Sequence, residues 1–541
     1  MISKTIGQVL DETAKKYPNK DALVYVERNL RYSYKEFNKK VEQLAEALIG
    51  LGIEKGDHIA VWAYNVPEWV ILQFASAKIG AVLVTVNTYY KSNELKYLLK
   101  QSDATTLFLV EGFKDVNYVD VVNKVLPGLK NSKPGQLQEE EFPYLKNVVY
   151  IGDRKPEGMY KFEELFDFSE DVSDEDLDKR SNSLDENETI NMQYTSGTTG
   201  FPKGVMLTHR NIVNNAYYVG ERMGMTEEDR MCIPVPFFHC FGCVLSTLNC
   251  VIHGSAMVPI EIFDAGKVLE AVEKERCTAL QGVPTMFIGE LQHKDFDKYD
   301  LSCLRTGIMA GSSCPVEIMK KAMDKMYLEE ITIAYGLTEG SPVITQTKRD
   351  DPVDKRVETV GTVLPHIEAK IVDPSTGEVL PPDEPGELIS RGYNTMKGYY
   401  KMPDKTDETI VDGWLHTSDL ATKDEEGYFS IIGRTDDMII RGGENVYPRE
   451  IEEFLYTNDK IKDVAVVGVP SEKYGEEVCA FIQLKENETS SEDEIKEFCM
   501  EEISRFKIPK YVIFTDEFPM TASGKIRKVD LREIAEERIK E

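Results

Sequence analysis

A short run of small and hydroxyl residues, Y-T-S-G-T-T-G-F-P-K-G at 194–204, has the composition of a phosphate-binding loop. Gly197 and Gly200 let backbone N–H groups approach phosphate oxygens, and Lys203 adds a mobile positive charge. The run is not a Walker A loop, because Pro202 stands where that motif needs its second glycine. Strand-like runs flank it, so we expect a loop between two strands. The hydroxyl donors of the loop are Thr195, Ser196, Thr198 and Thr199.

Four segments further along the chain carry complementary groups. A-Y-G-L-T-E-G offers an aromatic face, a bare backbone, a hydroxyl and a carboxylate, which together suit adenine, a phosphate and Mg²⁺. G-W-L-H-T-S-D-L places a carboxylate after a strand-like turn, where it can accept ribose hydroxyls. G-R-T-D-D supplies Arg434, and P-M-T-A-S-G-K-I-R supplies Lys525. Taken singly, each has an ordinary structural explanation; the residues are Tyr335, Gly336, Thr338, Glu339, Asp419, Arg434 and Lys525.

Composition limits the partners. Acidic residues (94) outnumber basic ones (64), giving a formal net charge of −30. This balance argues against nucleic acid and against anionic lipid, since both are bound through basic surfaces. No run is long and apolar enough for a membrane span, and the N-terminus reads as an amphipathic helix rather than a signal peptide. We therefore expect a cytoplasmic protein; an oligomer is compatible with the sequence.

The nine cysteines indicate free thiols rather than a metal site. Cys240 and Cys243 form a C-x-x-C pair within F-F-H-C-F-G-C, but no second pair accompanies them, so zinc would lack ligands. Free buried thiols suit a reducing compartment.

The element pattern predicts an α/β fold. A chain of 541 residues suggests three or four structural units at roughly 150 residues each. Strand, helix and strand signals alternate over 20–125 and 230–345, which is typical of parallel, helix-covered sheets. Short strands with Gly, Pro and Asp turns predict a β-rich subdomain at about 356–432. The acidic run D-E-D-L-D-K-R-S-N-S-L-D-E-N-E is expected to be an exposed connection.

In this order and combination, the five segments resemble the adenylate-forming superfamily of acyl-CoA synthetases, adenylation domains and luciferases. The resemblance covers essentially the whole chain. V-P-E-W-V-I-L-Q-F-A-S-A-K-I-G-A-V-L-V-T-V-N and T-G-I-M-A-G-S-S-C-P-V-E-I-M are similar to the medium- to long-chain fatty acyl-CoA synthetases. Members join a carboxylic acid to ATP, release pyrophosphate, and pass the acyl group from AMP to coenzyme A.

The resemblance implies roles for the residues named above. The loop from Thr195 through Gly200 to Lys203 would hold the β- and γ-phosphates. Thr195 and Glu339 would bind Mg²⁺, and Thr338 the α-phosphate. The adenine would lie at Tyr335 with Gly336 and Gly311 close by, and the ribose at Asp419 and Arg434. Lys525, expected to be a cation at its ordinary pKa near ~10.4, would bridge the carboxylate and the α-phosphate in the first step.

The resemblance also implies a moving domain. It divides the chain into an N-terminal domain, 1–435, and a small mobile α+β C-terminal domain, 436–541, with the hinge at Asp436. Rotation would withdraw Lys525 and bring R-G-G-E-N to the site, where Gly442, Gly443 and Glu444 would meet coenzyme A.

The acid pocket is the least specified part. By similarity it contains His239, Val283, Thr285, Ala310, Gly311 and Gly336, which are mostly apolar or small. A lone histidine such as His239 is more often a packed core residue than a catalyst. By resemblance, adenylation domains for amino acids carry an aspartate in this region, and F-F-H-C-F-G contains none, which counts against an amino-acid substrate. An aryl or branched-chain acid ligase, transfer to a carrier protein, and a non-catalytic nucleotide-binding protein are the alternatives.

Overall fold

The computed structural model describes residues 1–195, 202–312, 314–434, 437–441, 444–471, 473–500, 502–521 and 524–540. Within these ranges the strands are β1 Asp21–Tyr25, β2 Leu30–Ser33, β3 His58–Trp62, β4 Val82–Thr85, β5 Thr106–Leu109, β6 Gly112–Phe113, β7 Val116–Asn117, β8 Asn147–Tyr150, β9 Tyr160–Lys161, β10 Thr189–Thr195, β11 Lys203–Thr208, β12 Arg230–Ile233, β13 Ala256–Pro259, β14 Ala279–Gly282, β15 Thr306–Ala310, β16 Glu330–Gly336, β17 Val343–Gln346, β18 Thr362–Val363, β19 Ile367–Val372, β20 Gly386–Gly392, β21 Gly398–Tyr399, β22 Ile410–Val411, β23 Trp414–Lys423, β24 Phe429–Arg434, β25 Ile439–Arg441, β26 Glu444–Val446, β27 Ile461–Ser471, β28 Gly475–Leu484 and β29 Tyr511–Phe514.

The helices of the same ranges are α1 Ile6–Lys16, α2 Tyr34–Gly50, α3 Pro67–Ile79, α4 Ser92–Gln101, α5 Tyr118–Val125, α6 Asp174–Asn182, α7 His209–Met223, α8 Cys240–Gly242, α9 Asn249–His253, α10 Ala265–Glu275, α11 Pro284–Leu291, α12 Val316–Lys325, α13 Val353–Glu358, α14 Pro403–Thr409, α15 Pro448–Leu455, α16 Glu492–Met500 and α17 Lys528–Lys540. Short 3₁₀ turns and one π-helical segment, Cys243–Leu248, complete the helical structure of the described chain.

Two large sheets form the N-terminal part. The first sheet has the order β18-β17-β16-β15-β14-β12-β13-β1-β2, and the second has the order β21-β11-β10-β4-β3-β5-β8-β9. Their central pairs are parallel, for example β14 with β15 and β3 with β4. These strands are buried along their length, since helices cover both faces of such sheets. The predicted α/β class is therefore confirmed.

Helix α3 shows how the sequence sets these boundaries. Pro67 occupies its first turn, where the missing N–H costs nothing, and Gly80 ends it with a φ of 75°, in the left-handed region. Almost every residue of the helix is buried, which fits its apolar character on all sides. Helix α3 is thus one of the helices in the strand–helix–strand alternation predicted over 20–125.

One expectation about local structure is wrong. The acidic run expected to be a connection contains helix α6. Ser173 caps it by accepting from the backbone N–H of Asp176, and three acidic residues of the first turn favour the positive end of the helix dipole. Only Leu177 of this helix is buried, so capping and charge, rather than an apolar stripe, explain a helix that periodicity could not reveal.

The third and fourth sheets are smaller. The third sheet pairs β19, β20, β23 and β22, with β24 against β23, and covers most of the stretch predicted to be β-rich. Two strands of that stretch belong elsewhere, because β18 joins the first sheet and β21 the second. The fourth sheet, β26-β25-β28-β27 with β29, lies in the C-terminal part.

The buried apolar residues follow the same division. One cluster runs from Ile6 to Phe429 through the first three sheets. Two smaller clusters lie within the C-terminal part, one containing Ile439 and Val512, the other Ala465 and Ala535. The C-terminal part therefore folds around its own cores. The predicted domain boundary stays a prediction, and Asp436 lies outside the described residues. No helix of the described ranges is long and apolar enough to cross a membrane.

Candidate active site

The candidate residues meet where parallel strands of the two large sheets end. The phosphate loop follows β10 of the second sheet, and His239 follows β12 of the first. Val283, Gly311 and the A-Y-G-L-T-E-G segment follow or complete β14, β15 and β16. Ligands of open α/β sheets bind at these carboxyl ends, so the topology collects groups that are far apart in the sequence.

The phosphate loop is closed by a strand pair, as predicted. Thr195 is paired with Lys203 in the antiparallel register of β10 and β11, which fixes the two ends of the loop against each other. Lys203 Nζ lies 4.4 Å from the centre of the Tyr399 ring. The intervening candidates Ser196, Gly197, Thr198, Thr199 and Gly200 lie outside the described residues.

Thr195 and Glu339 have the chemistry of a partial magnesium site. Thr195 Oγ1 is shielded from solvent and has no hydrogen-bond partner within the described chain. Glu339 is buried, and its Oε1 accepts a 2.8 Å hydrogen bond from the Tyr399 hydroxyl. Mg²⁺ commonly takes one or two protein oxygens and completes its shell with water and substrate phosphates, so this donor set fits the ion.

Tyr335, Asp419 and Arg434 form a second, tightly bonded group. The Tyr335 hydroxyl donates to Asp419 Oδ2 at 2.6 Å, and Arg434 Nε donates to Oδ1 at 3.0 Å. Asp419 was expected to follow a turn, but it lies within β23, directly opposite Arg434 on β24. The pairing of two long strands therefore sets this carboxylate, and its burial prepares an acceptor for hydroxyl groups.

Lys525 reaches this site from the C-terminal part. A Cβ built on Gly311 would lie 3.5 Å from Lys525 Cε, and Thr285 Oγ1 donates to the Gly524 carbonyl at 2.9 Å. Loss of solvation lowers the pKa of Lys525, the positive charge of Arg434 lowers it further, and Asp419 opposes both. The expectation of a lysine at its ordinary pKa is therefore wrong in this conformation.

The residues expected to border the acid differ in burial: Thr285 and Gly311 are half-buried, and Gly336 is exposed. Desolvation lowers the pKa of His239 to about 3, with a further contribution from Lys525, so the imidazole is neutral at physiological pH. Its Nδ1 accepts from the backbone N–H of Phe241 at 3.2 Å and caps α8. Val283 and Ala310 are buried and apolar. Gly336 admits no side chain, because a Cβ there would lie 1.8 Å from the Pro342 carbonyl oxygen.

Of the coenzyme A candidates, only Glu444 lies within the described residues. Glu444 begins β26 in the fourth sheet, and Gly442 and Gly443 lie outside the described residues. Their predicted roles stay predictions.

Two contacts were not foreseen from the sequence. Tyr399 joins Glu339 and Lys203, although 60 positions separate the bonded pair. Gln193 takes a hydrogen bond from Cys240 Sγ at 2.9 Å and donates one to Cys243 Sγ at 3.0 Å, so the C-x-x-C pair holds the strand before the phosphate loop. In the sequence Tyr399 stands in the run M-K-G-Y-Y, and nothing in that run indicates its contacts with Glu339 or Lys203. All nine cysteines are free.

The amino-acid pattern of the AMP-binding enzyme family matches residues 10–400, and that of the AMP-binding enzyme C-terminal domain matches residues 450–525. The chain belongs to the AMP-binding enzyme family.

Relatives and solved structures sharpen this placement. The chain is 57% identical over 534 residues to the Bacillus subtilis (strain 168) protein named "Putative acyl-CoA synthetase YngI", covering 98% of this chain and 97% of the relative. It is 40% identical to the mitochondrial medium-chain acyl-CoA ligase ACSF2 of Rattus norvegicus, covering 100% of this chain and 89% of the relative. Among solved structures, ATP-bound MatB from Rhodopseudomonas palustris is 26% identical with a TM-score of 0.84, covering 99% of this chain and 100% of that one. The anthranilate CoA ligase AuaEII in complex with anthranoyl-AMP is 25% identical with a TM-score of 0.86, covering 100% of this chain and 99% of that one.

The prediction of an adenylate-forming acyl-CoA synthetase, an AMP-forming acid–thiol ligase, is thereby confirmed. The predicted use of a carboxylic acid, ATP and coenzyme A is confirmed with it.

Proposed function

We propose that the protein activates medium-chain fatty acids: it forms an acyl-AMP from the acid and ATP, then transfers the acyl group to coenzyme A. The relatives named as acyl-CoA synthetase and as medium-chain acyl-CoA ligase support the reaction and the substrate class. The single observation that carries the proposal is the position of Lys525. This lysine lies beside Gly311 and within electrostatic reach of Asp419 and Arg434.

The first step joins two anions. A carboxylate oxygen of the acid attacks the α-phosphorus of ATP, an O–P bond forms, and the bond to the β-phosphate breaks as pyrophosphate leaves. The barrier falls when cations and N–H dipoles neutralise the charge that builds up. In this proposal Lys525 would contact both reacting anions, while Lys203 and the loop amides would hold the departing phosphates.

Mg²⁺, held by Thr195 and Glu339, would supply positive charge against the phosphates. The remaining tasks fall to the chain itself. Asp419, oriented by Tyr335 and Arg434, accepts the ribose hydroxyls, and Thr338 donates to the α-phosphate.

No general base is required, because a fatty acid is already ionised at neutral pH. His239 agrees with this, because a pKa of about 3 leaves it a neutral and only weakly basic imidazole near pH 7. We assign it to shaping the apolar end of the acid site.

The second step requires the lysine to leave. The thiol of coenzyme A attacks the acyl carbonyl carbon and releases its proton, a C–S bond forms, the C–O bond to AMP breaks, and AMP departs with the oxygen. We propose that the C-terminal domain, 436–541, turns about Asp436 to withdraw Lys525. Gly442, Gly443 and Glu444 then line the thiol path.

The free cysteines and the need for ATP and coenzyme A support a cytoplasmic setting for this chemistry.

A panel of acids from acetate to octadecanoate, with benzoate and a branched-chain acid, tests the proposal through coenzyme-A-dependent AMP release. We expect the highest kcat/KM for octanoate and decanoate. A preference for benzoate or the branched acid would overturn the chain-length assignment and leave the ligase mechanism in place. If no acid of the panel gives AMP release, the proposed function itself is contradicted.

A further inference from the structure

Tyr399 lies between two groups that must act together. The residue is 4% exposed, and its strand β21 pairs with β11, with Tyr399 opposite Val205. Its hydroxyl donates to Glu339 Oε1 at 2.8 Å, while the ammonium of Lys203 lies 4.4 Å from its ring centre. One side chain thus contacts both the Glu339 carboxylate, a candidate Mg²⁺ ligand, and the Lys203 ammonium of the phosphate loop.

The backbone around Tyr399 is fixed on both sides. The N–H of Met396 donates to the Glu339 carbonyl at 2.9 Å, and that of Tyr400 donates to the Gly204 carbonyl at 2.8 Å. Glu339 follows the first sheet and Gly204 lies in the second. The segment 396–400 therefore ties the two large sheets together at the site, and the position of Tyr399 is set by both.

The two contacts use opposite ends of the tyrosine. The ring face carries the negative part of the quadrupole and attracts the ammonium, whereas the O–H donates to an anion. A phenol keeps its proton at neutral pH, so the hydroxyl is available as a donor to Glu339.

We propose that Tyr399 is a positioning residue for the first half-reaction, which fixes the Glu339 carboxylate and the Lys203 ammonium at a set separation. The proposal rests on the function proposed above. Its consequence is that the Tyr399 hydroxyl governs divalent metal affinity and its ring governs contact with the phosphates.

A packed core tyrosine with no role at the site would behave differently. Tyr399→Phe removes the hydroxyl alone and keeps the ring under Lys203. Tyr399→Leu removes both. The neighbouring Tyr400 provides a matched control, because its hydroxyl also donates to a carboxylate, Asp103, at 2.9 Å.

The test measures Mn²⁺ binding by electron paramagnetic resonance, on the full chain with a non-hydrolysable ATP analogue and no acid. Loss of an outer-shell partner typically lowers metal affinity about 10-fold to 100-fold. We therefore expect Tyr399→Phe to lower the affinity for Mn²⁺ by about 10-fold. Tyr400→Phe should leave it unchanged. Tyr399→Leu should in addition lower the affinity for the nucleotide analogue at saturating Mn²⁺, because Lys203 no longer contacts an aromatic ring.

A double-mutant comparison isolates the contact. On a Glu339→Gln background, Tyr399→Phe should cause little further loss of Mn²⁺ affinity, because the carboxylate it serves is gone.

Unchanged Mn²⁺ affinity in Tyr399→Phe would overturn the proposal, as would equal losses in Tyr399→Phe and Tyr400→Phe. Thermal unfolding of each variant shows whether it folds. If Tyr399→Leu does not fold, the conclusion is drawn from Tyr399→Phe alone. The readout needs no acid, so failure of the proposed substrate class leaves this result standing.

Discussion

The N-terminal and C-terminal parts hold their site residues in different ways. Thr195, Glu339 and Asp419 stand on strands, or directly beyond them, over one continuous apolar core. Lys525 belongs to a part with its own two cores. It reaches the site through polar contacts, including Thr285 with Gly524. The N-terminal groups are preorganised, whereas the lysine is delivered by a separately folded unit.

The contacts between the two parts are few and specific in the described chain. Arg449 on α15 donates to the Ile431 carbonyl at 2.6 Å, and Glu453, one turn later, accepts from the Val316 N–H at 3.4 Å. Neither contact extends the apolar clusters of the two parts. A joint built from such bonds can open without exposing a large apolar surface, which suits the proposed rotation of the C-terminal domain.

The largest effect on activity is expected from removing the positive charge of Lys525. Lys525→Ala is expected to slow acyl-AMP formation by about 100-fold to 1,000-fold, because one charge-stabilising donor is lost. Conversion of supplied acyl-AMP to acyl-CoA should persist, since that step proceeds with the lysine withdrawn. Acid-dependent pyrophosphate release and thioester formation are measured separately, and equal losses in both would refute the assigned role.

Loosening the joint should act on the same step more weakly. Arg449→Met removes the bond to Ile431 and leaves Glu453 without its cation, so we expect acyl-AMP formation to slow by about 10-fold. Thioester formation from supplied acyl-AMP should be unaffected. Glu450→Gln on the same helix is the control, because Glu450 pairs with Lys507 inside the C-terminal part. A similar effect in both variants would show that helix stability, rather than docking, is being measured.

The pH dependence should distinguish the two half-reactions. Because the docked conformation lowers the pKa of Lys525, its ammonium is lost at a lower pH than in a free lysine. Acyl-AMP formation should therefore fall as pH rises through this lowered pKa, below the ordinary 10.5. The thioester step should lack this alkaline decline. Lys525→Arg, which stays charged, should move the decline to higher pH, and an unmoved profile would assign it to another group.

The smallest effect is expected at the contact beside the lysine. Thr285→Val removes the hydrogen bond to the Gly524 carbonyl while keeping the shape of the side chain. A single neutral hydrogen bond is worth about 1 kcal/mol, so acyl-AMP formation should slow by about 5-fold. An equal slowing of thioester formation would place Thr285 in the acid pocket rather than in docking.

Local patterns predicted much of this molecule. The strand pair around the phosphate loop followed from two strand-like runs and a glycine-rich turn between them. Residue types that suit a nucleotide marked the A-Y-G-L-T-E-G segment, and its role stays a prediction. The clustering of these segments at strand ends followed from the alternation of strands and helices.

Long-range pairing accounts for what was missed. Asp419 lies in the middle of β23 because its partner Arg434 sits opposite on β24, and register cannot be read from either strand alone. Tyr399 was overlooked because its hydrogen-bond partner, Glu339, belongs to a different sheet region. The lowered pKa of Lys525 arises first from burial and then from the charge of Arg434, 91 positions earlier, and only the folded chain supplies either.

Arg434 has one more consequence. It ends the last strand of the third sheet, and it repels the lysine that the neighbouring domain inserts. With no nucleotide between them, two cations oppose each other and closure costs free energy. A bound polyphosphate converts that repulsion into attraction on both sides. Bound ATP is therefore expected to stabilise the docking of the C-terminal part, and without ATP the open arrangement is expected to be favoured.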